Sequence, residues 1–110
     1  MIVIHRIVKS ALTELADEDY QRRVWFGTGD DEVSSLTECT CQLFDDSGLG
    51  AALDRNVSVY GSAADDDLRT LGGFLTLMDD ASPQETLSDP LLSDARALAT
   101  VILERVGWAL

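Results

Sequence analysis

The sequence predicts an all-α domain, a compact bundle of four to six helices with one short extended segment. Three observations carry that expectation. Apolar residues recur at steps of three and four along most of the 110 residues, the period of an amphipathic helix rather than of a strand. Cap-plus-proline and capping-box spacings stand ahead of several of these stretches. Turn residues separate them, with no repeat or linker, so residues 1–110 read as a single helical domain.

Taken in order, Ile4, Val8, Ala11, Leu12 and Leu15 predict a helix over about residues 3–16. Asp17-Glu18-Asp19 opens a second helical turn through Tyr20, Val24 and Trp25, which stops at Gly27-Thr28-Gly29. The β-branched and aromatic run at residues 22–26 leaves an extended reading open. Asp30-Asp31-Glu32 is the next start signal, and Ser35 and Glu38 have capping-box spacing. Leu36, Cys39 or Thr40, Leu43 and Phe44 then line one face, until Asp45-Asp46-Ser47-Gly48 ends it. Leu49, Ala52 and Leu53 form a short helix that ends near Asn56. Val57-Ser58-Val59-Tyr60-Gly61 alternates like a strand but has no evident partner strand.

The clearest element starts at Ser62. Ser62 and Asp65 again have capping spacing, and Asp65, Asp66 and Asp67 favour the positive end of the helix dipole. Ala64, Leu68, Leu71, Leu75 and Met78 form a core-facing seam. Gly72 and Gly73 interrupt it at about 1 kcal/mol each, which predicts close approach of a neighbouring helix. Ser82-Pro83-Gln84-Glu85 starts a short helix, and Asp89-Pro90 launches the last one. The last helix has two adjoining stripes, Leu91, Ala95, Leu98, Ile102 and Ala109 beside Leu92, Ala99, Leu103 and Val106. That width predicts a helix buried on two sides, central to the bundle.

A hydrophobic fraction of 45% beside 25% charged residues supports a buried core and argues against disorder. The apolar N-terminus is too short to span a bilayer and lacks a basic n-region, so neither a membrane span nor a signal peptide is expected. Cys39 and Cys41 lie about 200° apart around a helix, so they cannot bridge each other. Two reduced thiols in a cytoplasmic protein are expected, one of them buried.

The charge is concentrated. Residues 30–94 hold 15 acids against two bases, Arg55 and Arg69, within a chain of net charge −12. Such a chain repels nucleic acid and anionic membranes. No nucleotide-binding glycine motif is present, and Gly27-Thr28-Gly29 lacks the context of one. The only histidine, His5, sits among aliphatics without a nucleophile for it to activate. The EF-hand ligand pattern is absent, and His5 is 34 residues from the cysteines, so no metal and no cofactor are expected. The chain reads as a non-enzyme. Part of the acid caps helices and keeps the surface soluble. The remainder, Asp30, Asp31, Glu32, Asp65, Asp66, Asp67, Asp79 and Asp80, is the candidate partner-binding face, suited to a basic protein.

The stretches Arg22-Arg23-Val24-Trp25-Phe26-Gly27, Glu32-Val33-Ser34-Ser35-Leu36-Thr37-Glu38 and Gln42-Leu43-Phe44-Asp45-Asp46-Ser47-Gly48-Leu49-Gly50 resemble small acidic bacterial proteins of uncharacterised or toxin-immunity type. The resemblance covers about the middle third of the chain and is one of style, without a diagnostic motif, so it transfers no site residue. It implies a protein that neutralises a toxin or nuclease by covering its basic cleft. The alternative expectation is a structural or interaction protein that forms a homodimer through its apolar helix seam.

Overall fold

The computed structural model describes residues 2–25, 35–78, 86 and 88–108. Among them the chain is helical, without strands, and six helices have both ends described. The helix α1 (His5–Ala16) exists because Val8, Ala11, Leu12 and Leu15 fall on one face, and all four are fully buried. Its first turn has no side-chain cap. The preceding Ile4 is extended instead, and its amide donates to the Ser47 carbonyl at 2.8 Å. That tether starts the helix two residues later than the apolar pattern alone suggests.

Asp17 is extended and ends α1, and its carboxylate accepts the Tyr20 amide at 3.0 Å to begin α2 (Glu18–Tyr20). α2 runs into a π-turn at Gln21–Trp25. Residues 22–25 are therefore helical rather than extended. The fully buried Gln21 amide donates to the carbonyls of Glu14 at 3.1 Å and Leu15 at 2.6 Å. It thereby satisfies the Leu15 carbonyl at the end of α1 and adds a second donor to the Glu14 carbonyl, which already accepts the Asp17 amide at 3.2 Å. The glycines expected to end this stretch, Gly27 and Gly29, lie outside the described residues.

Ser35 caps α3 (Leu36–Cys41) by accepting the Glu38 amide at 3.1 Å, as the capping spacing predicts. A second π-turn, Gln42–Asp46, follows directly. It closes at Gly48, whose φ is +81°. A Cβ there would stand 2.6 Å from the Ile2 carbonyl oxygen, so both conformation and space require glycine. α4 (Leu49–Asp54) ends in a Schellman motif. Asn56 is left-handed at φ 57°, and the Val57 amide reaches back to the Ala52 carbonyl at 3.0 Å.

The segment 57–60 is not a strand. The amides of Val59 and Tyr60 donate to the two carboxylate oxygens of Asp65, each at 3.0 Å. One side chain thus supplies what a partner strand would have. This also changes the expected start of α5 (Ser62–Leu77). Gly61, not Ser62, is the cap residue, and Asp65 turns back to the preceding link instead of completing a capping box.

All five seam residues of α5 and its exit, Ala64, Leu68, Leu71, Leu75 and Met78, are buried. Gly72 accommodates the Phe44 ring, whose Cζ is 3.3 Å from where a Cβ would be. Gly73 is exposed and faces open space, so the close approach expected for the glycine pair is met at one of the two. The Ser82-Pro83-Gln84-Glu85 start signal lies outside the described residues. α6 (Pro90–Val106) begins as expected, with Asp89 accepting the Leu91 amide at 2.9 Å and Pro90 in the first turn. It ends with Gly107 left-handed and the Trp108 amide bonded to the Leu103 carbonyl at 2.8 Å. α6 packs against both α1 and α5, the two largest helix contacts, which confirms its central place.

Candidate binding surface

Of the eight residues expected to form an acidic face, Asp30, Asp31, Glu32, Asp79 and Asp80 lie outside the described residues. The other three share the first turns of α5 but point to different tasks. Asp65 is only 3% exposed and holds the 57–60 backbone, so it offers no charge to a partner. Asp66 is exposed and pairs with Arg69 at 3.0 Å, one turn along the helix. Asp67 lies 2.9 Å from the Arg105 guanidinium of α6. That contact is a charge pair rather than an aligned hydrogen bond, because the same carboxylate oxygen has no hydrogen-bond partner among the described residues.

A second set of acids is arranged differently. Between the second π-turn, α4 and α5 runs a groove of about 510 Å³. Phe44, Leu53, Leu68 and Gly72 supply its apolar lining, and Asp45 and Asp54 its carboxylates. Both carboxylates belong to exposed residues, and no ion pair or side-chain hydrogen bond joins either to another described residue. Arg69 also borders the groove, but Asp66 and the Leu53 carbonyl, at 3.3 Å, engage its guanidinium. The sequence pattern did not single out this site. Asp45-Asp46 read as a helix-ending turn and Phe44 as seam, and only the π-turn brings ring and carboxylate to the same rim.

Across α1, α2 and α6 the charges are matched. Arg22 bonds Glu18 at 2.6 Å, and Arg96 approaches the same carboxylate at 3.6 Å while donating to the Gln21 side chain at 2.7 Å. The Arg22 hydrogen bond, aided by the charges of Arg96 and Arg22, holds the Glu18 carboxyl below its ordinary pKa.

Elsewhere, His5 Nδ1 and the Tyr60 hydroxyl lie 2.8 Å apart, and Tyr60 meets Trp108 edge-on at 5.3 Å. Burial, reinforced by Asp65, pushes the Tyr60 phenol up to about 12. At neutral pH it is therefore protonated, a structural joint between α1, the 57–60 link and the chain after α6. Cys39 is buried and donates to the Ala11 carbonyl at 3.3 Å, whereas Cys41 is exposed. Burial, then Glu14, raises the Cys39 thiol well above its usual range, which suppresses the reactive thiolate. Among the described residues no group of three potential ligands could hold a metal ion, and no helix is long and apolar enough to cross a membrane. No protein-family model, curated protein or solved structure matches the chain.

Proposed function

We propose that this chain is a small acidic, non-enzymatic binding protein that covers a basic surface of a partner protein, as an immunity or inhibitor protein covers a toxin or nuclease. The observation that carries the reading is the run from residue 30 to residue 94, with 15 acids and two bases. Solubility alone is met by mixed charge, whereas a one-signed field steers a basic partner and speeds its association. Arg69, one of the two bases, is already engaged by Asp66, which leaves the rest of the run more one-sided still.

The partner-facing acids are then Asp30, Asp31, Glu32, Asp66, Asp67, Asp79 and Asp80. Asp65 is left out because its carboxylate is buried and bonded. Arg105 offsets part of the charge of Asp67. A homodimer through the α5 seam gains no support, since Leu68, Leu71 and Leu75 are buried within the chain.

The test uses products of genes adjacent to the one encoding this chain, in a bacterial cytoplasm. A basic protein among them should bind it with an affinity that falls steeply as salt rises. If no adjacent product binds, or if binding is indifferent to salt, the proposal fails.

A further inference from the structure

We infer that the groove between the second π-turn, α4 and α5 receives an arginine side chain of the basic partner. This rests on the reading of the chain as a binder of basic protein, and it adds a place and a side-chain chemistry to that reading.

The groove has the two surfaces that a guanidinium side chain needs. Half of its lining is apolar, with one aromatic ring, Phe44. Phe44 is only partly buried and lies over Gly72, where the absence of a side chain lets the ring settle against α5. Leu53 and Leu68 lie beneath this ring as a closed floor, so Phe44 with Gly72 is the apolar surface that a guest meets. An arginine stem covers such a surface with its methylenes, and its planar head stacks on an aromatic face.

The polar part of the same groove holds the carboxylates of Asp45 and Asp54, beside Thr40, Arg69 and Thr76. Neither carboxylate is neutralised by another described residue, and both sit on exposed positions. Carboxylates next to an apolar wall form short, charge-assisted bonds to a guanidinium. The resident Arg69 does not fill this role, because its guanidinium bonds Asp66 and the Leu53 carbonyl. An apolar or acidic guest would leave two carboxylates desolvated or repelled. A lysine would meet the charge but could not stack a plane on Phe44.

The experiment is a nitrogen-15 amide titration of the full chain with hexa-arginine and, in parallel, with hexa-lysine. Saturable shifts are expected at the amides of Gly50, Gly72 and Thr76. Hexa-arginine should bind about fivefold tighter than hexa-lysine. Replacing Asp45→Asn together with Asp54→Asn should weaken hexa-arginine binding about tenfold, with the remaining spectrum unchanged. Phe44→Leu keeps an apolar side chain over Gly72 and should erase the preference for arginine over lysine. Shifts confined to residues outside the groove, or equal binding by the double variant, would overturn the inference while leaving the chain a binder of basic protein. No saturable shift with either peptide would bring down both.

Discussion

Glu18 and the two groove acids, on different sides of this molecule, are treated in opposite ways. On the α1–α2–α6 side, Glu18 has both Arg22 and Arg96 within reach, and Arg96 is locked to the buried Gln21. On the side of the second π-turn, α4 and α5, the exposed Asp45 and Asp54 line a partly apolar groove whose bordering base, Arg69, is engaged by Asp66 and the Leu53 carbonyl instead. The same residue type is therefore structural where it is paired and available where it is not. Asp65 and Asp66 show how local the distinction is, since neighbours in sequence are respectively buried in backbone hydrogen bonds and exposed beside Arg69.

The comparison breaks first at Gln21. Gln21→Leu should cost about 3 kcal/mol, because the Leu15 carbonyl and the Arg96 guanidinium lose a buried hydrogen bond and the Glu14 carbonyl keeps only the Asp17 amide. Urea denaturation measures it, and an unchanged midpoint would mean that the network does not hold α2 to α1.

Next come two acids of the other side. Asp65→Ala should destabilise by about 2 kcal/mol through the stranded Val59 and Tyr60 amides. Asp54→Asn should stay within about 0.5 kcal/mol, as expected of a surface position. Similar losses for both would erase the distinction between structural and available acid.

The paired glycines of α5 sharpen it further. Gly73→Ala should stabilise the fold by about 1 kcal/mol, since helix propensity improves and nothing lies within 4 Å. Gly72→Ala should gain less or lose, because its Cβ would press on Phe44. Thermal midpoints of the two variants should move apart.

The smallest effect is alkaline. The Tyr60 phenol is raised from 10.0 to about 12 in the folded chain, so its contribution is present below pH 10 and fades as pH rises toward 12. Solvent around this half-buried ring limits the size of the effect. Tyr60→Phe should flatten that part of the stability profile, and an unchanged slope would remove Tyr60 as its source.

Much of the fold was legible because periodicity and caps are local signals. Leu68, Leu71 and Leu75, the Ser35 cap and the Asp89-Pro90 start all act within a few residues of themselves. The illegible parts depend on distant partners. A Gln21 amide bonded to carbonyls of α1, and an Asp65 carboxylate that replaces a strand partner, leave no periodic trace. Neither π-turn could be read from spacing, since the sequence around Phe44 fits an ordinary helix equally well. The groove depends on that turn, so Asp45 passed for part of a helix-ending turn and Asp54 drew no reading of its own. The concentration of acid over residues 30–94 was plain, but which acids remain available depends on where the few bases fold.

The most direct measurement compares the two sides at equal charge change. Fluorescent hexa-arginine is titrated, at low and at physiological salt, into the chain, into Asp45→Asn with Asp54→Asn, and into Glu14→Gln with Glu18→Gln, whose carboxylates are engaged by Trp25 and by Arg22 and Arg96. The expected result is about tenfold weaker binding for the groove pair and about twofold or less for the α1–α2 pair, both narrowing as salt rises. Equal weakening by the two pairs, or binding that ignores both, would contradict the division between paired and available acid.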